Sequence, residues 1–125
     1  MTPPPLAEEA VRLALDPWLD AAPRGALPTT LDPSCGTGNL LVAAAARLRA
    51  RGARPLQAAR CLRGVEVDAA AARIARTRLA SLLGGGEPVR RALAANIRVA
   101  DATEVAPRWL RSDVVLANPP FRDRK

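Results

Sequence analysis

Four short stretches of this chain carry residue types that could do chemistry, and the last of them is the most specific. It reads Asp113-Val114-Val115-Leu116-Ala117-Asn118-Pro119-Pro120-Phe121. The apolar run reads as a buried strand. It stops at an amide, two prolines and an aromatic ring. Proline has a fixed φ and no N–H, and it pushes the preceding residue out of the helical region. The strand must therefore end in a stiff, extended corner. That corner offers two hydrogen-bond acceptors, the Asn118 side-chain oxygen and the Pro119 carbonyl, beside the Phe121 ring. A planar amine could be held there through its N–H groups and stacked on the ring. A simple Asn-Pro turn is the plainer alternative.

The other three stretches each place an acid where a strand should end. Leu31-Asp32-Pro33-Ser34-Cys35-Gly36-Thr37-Gly38-Asn39-Leu40 reads as strand, acid, glycine turn and helix. Gly36 and Gly38 allow a tight turn and a close backbone approach to a ligand. The turn precedes a helix N-terminus, which favours negative groups. Leu41 stands where a dinucleotide fingerprint needs its third glycine, and no Gly-Lys-Ser/Thr follows, so this is neither that motif nor a phosphate loop. The acid before the glycines suits a cationic ligand better than a pyrophosphate. A plain strand-to-helix turn remains the alternative. In Gly64-Val65-Glu66-Val67-Asp68, Glu66 lies 28 residues beyond Gly38. An acid at that point can bind both hydroxyls of a ribose, or it is a surface charge at a strand end. Asp68 reads more simply as a helix cap. In Val99-Ala100-Asp101-Ala102, Asp101 can accept from the exocyclic amine of an adenine, or it caps the turn that follows.

Elements must be present to hold these residues in place. The pattern predicts a helix from Leu6 to Leu15, with Leu6, Ala10, Val11, Leu13 and Ala14 on one side and Glu8 and Glu9 in its first turn. Asp16-Pro17 should end or kink it. Strands are expected at 29–31, 63–67, 96–100 and 114–117. Helices are expected at 39–51 and, capped by Asp68, to about Leu83, where Gly84-Gly85-Gly86 stops the helix. Residues 57–62 give no clear signal, and 105–110 read as a short helix or turn. Strands alternating with helices predict an α/β fold, a parallel Rossmann-like sheet of about four strands flanked by helices.

Composition sets the outer limits. With 125 residues there is room for one domain. Apolar residues make up 49% of the chain, almost all Ala, Leu and Val, with only Trp18, Trp109 and Phe121 as aromatics. The net charge of +7 suits a nucleic-acid partner. The excess of arginine over lysine also fits a GC-rich coding bias. The arginines from Arg47 to Arg63 read more readily as a solvated helix face and loop than as a DNA groove. Cys35 and Cys61 without any histidine support neither a metal site nor a disulfide framework. No membrane span and no secretory signal are expected, and the cytoplasm is the default location.

Taken together, the glycine turn, the three strand-end acids and the closing Asn-Pro-Pro-Phe resemble the class I S-adenosylmethionine-dependent methyltransferases. Within them the chain is most similar to the amino-group DNA methyltransferases that modify adenine, of the restriction-modification type. The resemblance runs from Thr2 to Phe121. It implies S-adenosyl-L-methionine as cofactor. Thr2 and Pro3 would lie near its methionine end, as would Asp32, Pro33, Cys35, Gly36 and Gly38. Glu66 would bind its ribose and Asp101 its adenine amine. Asn118, Pro119, Pro120 and Phe121 would form the catalytic tetrapeptide, and the partner would be duplex DNA with a flipped adenine. Related tetrapeptides serve methyltransferases of ribosomal RNA and of a protein glutamine, and both stay open as alternatives. Complete enzymes of this kind continue past the tetrapeptide. The expectation is therefore an N-terminal part of the domain without a target-recognition region, with marginal stability and an exposed last strand. A second polypeptide completing the domain, or a non-catalytic cofactor-binding or interaction fragment, follows from the same observation.

Overall fold

The computed structural model describes residues 4–117. Four parallel strands form one sheet in the order β3-β2-β1-β4. They are β1 (Thr30–Asp32), β2 (Leu62–Glu66), β3 (Ile97–Val99) and β4 (Val114–Val115). Six α-helices accompany them: α1 (Pro4–Ala21), α2 (Asn39–Ala50), α3 (Pro55–Cys61), α4 (Ala69–Leu83), α5 (Gly86–Asn96) and α6 (Pro107–Leu110). The expected α/β class and parallel sheet are what the chain adopts.

Register fixes which side chains share a face. Thr30 pairs with Leu62 and with Val114, Asp32 with Gly64, and Gly64 with Ile97. In a parallel pair these partners point the same way. On that face Leu62 and Ile97 are fully buried and join one core with Val11 and Leu15 of α1, Leu41 and Leu48 of α2, Leu79 of α4 and Leu93 of α5. Many of the remaining core positions are alanines, among them Ala44, Ala45, Ala58, Ala59, Ala72 and Ala75. Small side chains let the helices approach closely, which is how a chain so poor in aromatics fills its interior. The opposite face carries Arg63 and Arg98. Arg63 Nη1 donates to the Trp109 carbonyl at 2.8 Å, and the Arg98 guanidinium lies 3.9 Å from the centroid of the Trp109 ring. Cation–π contact thus holds α6 across that face.

The chain reverses direction across the sheet after β3. It returns to place β4 beside β1, with Leu116 N–H donating to the Leu31 carbonyl at 2.7 Å. Asp113 pins the start of β4, accepting from both the N–H and the hydroxyl of Thr29 at 3.0 Å. This reversal is a topological switch point, where open α/β sheets leave a crevice beyond the strand ends.

Four expectations need correction. The first helix does not stop at Asp16-Pro17 but runs through Pro17 to Ala21. Asp16 forms a two-pronged ion pair with Arg47 of α2, at 2.8 and 2.6 Å, and Asp20 reaches Arg51 at 2.6 Å. These pairs hold the last turn of α1 on α2 despite the lost N–H. The carbonyl that Pro17 leaves without a donor belongs to Leu13, which is 68% exposed and open to water. Leu6 and Leu13 are exposed, while Val11 is buried as expected together with Ala7 and Leu15, and Ala10 and Ala14 are partly buried against the core. Because the helix begins at Pro4, Glu8 and Glu9 fall beyond its first turn. Finally, residues 55–61 and 86–96 are both helical. Gly84 and Gly85 end one helix and start the next without any long loop.

Replacing Pro17 by Ala should raise stability by about 2–2.5 kcal/mol. That is the cost of about 3 for proline inside a helix, less what proline saves in the unfolded chain. Denaturant unfolding measures it, and an unchanged midpoint would mean that α1 does not run through this position.

Candidate cofactor site

Because all strands are parallel, β1, β2 and β3 end on one edge of the sheet, and the expected acids follow from them. The chain leaving β1 turns at once. Asp32 is 2% exposed and its Oδ1 accepts the Ser34 N–H at 3.0 Å, a side-chain-closed turn. Cys35 N–H donates to the Val65 carbonyl at 2.9 Å, so the turn is stitched to β2. Gly36 follows at φ 55 and Gly38 at φ 94, both in the left-handed region. The two glycines are needed for different reasons. A side chain at Gly36 would project into open space, so the turn leaves a bare backbone face there. A Cβ at Gly38 would lie 3.1 Å from the Ala75 Cβ. Gly38 is therefore small so that α4 can pack against the turn, rather than to admit a ligand.

Gly64 was not singled out in the sequence, yet the site depends on it. A Cβ there would meet Leu41 Cδ1 at 2.9 Å and Cys35 Sγ at 3.0 Å. The missing side chain is the space the Cys35 sulfur occupies. Cys35 is 5% exposed, so its side chain belongs to the core and only its backbone faces the turn. Burial, with Asp32 and Glu66 nearby, pushes its thiol up to about 12. A thiol so buried and so far from ionising is a poor nucleophile at neutral pH.

Glu66 ends β2 and spans the gap to the turn. Its Oε1 accepts the Gly36 N–H at 2.9 Å, and its Oε2 accepts the Asp68 N–H at 3.0 Å. Each carboxylate oxygen has two acceptor sites, so both can still take a hydroxyl. Asp68 is the helix cap that its position suggested, with Oδ1 accepting from the N–H groups of Ala70 and Ala71. Asp101 also caps, its Oδ1 accepting from the Thr103 N–H at 2.9 Å and the Thr103 hydroxyl at 2.8 Å. Those two bonds lower its pKa. Among the described residues its Oδ2 makes no hydrogen bond, so the cap does not exhaust it.

Glu66 and Asp101 meet in one cleft of about 280 Å³, walled by Pro33 and Ser34 on one side and by Val67 and Ala100 on the others. This is near the lower end of small-molecule sites, about 300 Å³. The donor set fits the nucleoside part of S-adenosyl-L-methionine: a carboxylate for two hydroxyls, a free carboxylate oxygen for an amine, and the exposed Val67 side chain as an apolar wall. Asp32 is absent from the cleft wall, buried directly beneath the turn. Thr2, Pro3 and the Asn118, Pro119, Pro120, Phe121 tetrapeptide lie outside the described residues. A larger hollow of about 520 Å³ sits where the chain enters β1, between Arg24, Asp20, Arg51 and Arg54. It holds none of the expected site residues. Among the described residues no cluster of His, Cys, Asp or Glu could hold a metal ion, and no helix is long and apolar enough to cross a membrane.

A glycine turn after the first strand, with acids after the next two, defines a Rossmann-like α/β protein with an acid-lined cleft at its strand ends. Residues 2–125 match the family model described as N-6 DNA Methylase, and the chain belongs to that family. No individual curated protein matches it.

Burial raises the Asp32 carboxyl from its ordinary 3.8 to about 6, with Glu66 adding to the rise and the Ser34 N–H opposing it. Between those values the folded protein holds a proton that the unfolded chain has lost. Stability should therefore fall as pH rises from about 4 to 6 and level off above. Asp32→Asn keeps the acceptor for Ser34 and removes the charge. It should be more stable than the parent at pH 7, by up to about 3 kcal/mol, and nearly equal at pH 4. Urea midpoints at the two pH values decide it, and a difference that did not change with pH would refute the buried charge.

Proposed function

We propose that the chain binds S-adenosyl-L-methionine in the strand-end cleft and serves methyl transfer to the exocyclic amine of adenine in DNA. The observation that carries this reading is the meeting of Glu66 and Asp101 in one cleft, with Glu66 also holding the Gly36 N–H of the glycine turn, in a chain of the N-6 DNA Methylase family. Residues 1–125 act in this reading as a single cofactor-binding domain.

The roles follow from the chemistry of each group. Glu66 accepts the two ribose hydroxyls while keeping its hold on Gly36. Asp101 Oδ2 accepts from the adenine amine of the cofactor. Pro33, Cys35 and Gly38 contribute backbone to the turn, and Asp32 supplies negative charge beneath the methionine end, which Thr2 and Pro3 border. The cofactor, when bound, supplies a methyl group made electrophilic by a positively charged sulfur.

An aromatic amine is a poor nucleophile because its lone pair is delocalised into the ring. In this reading Asn118 Oδ1 and the Pro119 carbonyl each accept one N–H of the target amine, which orients its lone pair and favours the pyramidal geometry of attack. Both acceptors are neutral, so no strong base is called for. Pro120 keeps the corner stiff and Phe121 stacks on the target base. A base in duplex DNA reaches such a corner only by flipping out, at a cost of a few kcal/mol. Stacking worth roughly 1–3 kcal/mol offsets part of that cost. Most of the remaining advantage comes from holding the two reactants in line.

Calorimetric titration with S-adenosyl-L-methionine tests the cofactor half. Glu66→Ala should weaken binding by about ten- to a hundredfold, the worth of hydrogen bonds to a charged group. Equal affinity in parent and variant would remove Glu66 from the site. Transfer of a labelled methyl group to unmodified DNA tests the rest. Asn118→Ala should lower labelling by at least tenfold, and undiminished labelling would end the role given to Asn118.

A further inference from the structure

The glycine turn is held from two sides by different kinds of contact. On one side Glu66 Oε1 accepts the Gly36 N–H at 2.9 Å. On the other, Arg78 Nη1 donates to the Thr37 carbonyl at 2.8 Å and to Asn39 Oδ1 at 2.8 Å. Arg78 lies on α4, three residues after Ala75, so the two side chains share a face of that helix. Ala75 is the residue against which Gly38 packs, with its Cβ 3.1 Å from where a Gly38 side chain would begin. One face of α4 thus supplies both an apolar seat and a cationic tie for the same three-residue segment.

We infer that Arg78 is a positioning residue for the cofactor site, holding the turn in its binding shape when Glu66 is engaged by ligand. The inference rests on the reading that a nucleoside occupies the strand-end cleft. Glu66 carries two duties in that reading, since its oxygens already accept from Gly36 and Asp68 and would also take hydroxyls. Every hydroxyl it accepts draws on the electron density that holds Gly36. The Arg78 contacts fall on the Thr37 carbonyl and the Asn39 amide oxygen, away from the cleft wall. They persist whether the cleft is filled or not. Arg78 is half-buried, and its planar, delocalised guanidinium spans two acceptors with one rigid group. A lysine would bring one compact charge on a looser stem. Nothing in the glycine motif points to Arg78, because it lies about forty residues away in sequence and is brought to the turn only by the packing of α4 on α2.

The test uses the full chain and two variants, Arg78→Met and Arg78→Lys, with two readouts. The first is hydrogen exchange at the amides of residues 36–40. Arg78→Met should speed it at least tenfold, while the amides of α1 exchange as in the parent. The second is affinity for S-adenosyl-L-methionine, which should fall about tenfold in Arg78→Met and recover in part in Arg78→Lys. Unchanged exchange in the turn would overturn the tie itself. Faster exchange with undiminished affinity would overturn the positioning role and leave Arg78 merely structural. Should Arg78→Met loosen α1 as well, Arg78→Lys decides, and it must show an increase confined to the turn. A parent chain that binds no S-adenosyl-L-methionine would refute the proposed cofactor site, and the exchange readout would then judge the tie on its own.

Discussion

The strand-end edge of this protein depends on one carboxylate. Glu66 takes an N–H from the turn after β1 with one oxygen and an N–H from the start of α4 with the other. It closes the gap between two strands just where their hydrogen-bond ladder ends. Without it Gly36 would present an unpaired N–H in a left-handed turn, and the exit of β2 would lose its link to the cap of α4. A side chain suited to gripping a ligand is thereby also part of the wall it stands in. The two oxygens beside the cleft are the same two that fix the turn and the start of α4.

Beneath this edge lies a compromise between packing and charge. Asp32 is buried at the end of the central strand, where its carboxyl satisfies Ser34 but is pushed to about 6 by the loss of water. A neutral side chain would suit the fold better. The retained acid sits under the turn that carries Gly36, where an added side chain would meet nothing.

Much of this was readable from residue order. Strand-end acids, the glycine turn, the Asp68 cap and the alternation of strands and helices are local signals, written within a few residues of where they act. What escaped reading was tertiary. Pro17 is a helix breaker by its own chemistry, and only Asp16 and Asp20 meeting Arg47 and Arg51, about thirty residues away, let the helix pass through it. Leu6 and Leu13 looked like core by hydrophobicity, yet they lie off the face of Ala7, Val11 and Leu15 that α1 turns to the core. Residues 86–96 begin with a glycine and, two residues on, a proline, which hid a helix whose buried face is only Val89 and Leu93. Gly64 could have been noticed as a glycine inside a strand, a common mark of close approach. Arg78 carried no such mark. Asp101 caps the turn, one of its two readings, and capping uses one oxygen and leaves the other.

The arginines give the composition a different meaning once their partners are known. Arg47 and Arg51 answer acids of α1, Arg63 and Arg98 hold Trp109, and Arg76 and Arg78 are tied to the carbonyls of Ile97 and Thr37. These six keep their charge but are not free to reach across to a phosphate. Each phosphate contact that a protein makes with duplex DNA steepens the fall of affinity with salt by about 0.9 in the logarithmic slope. The count of 19 cationic side chains therefore overstates how many could each displace a counterion from a nucleic acid. Part of the chain's basicity serves as internal mortar.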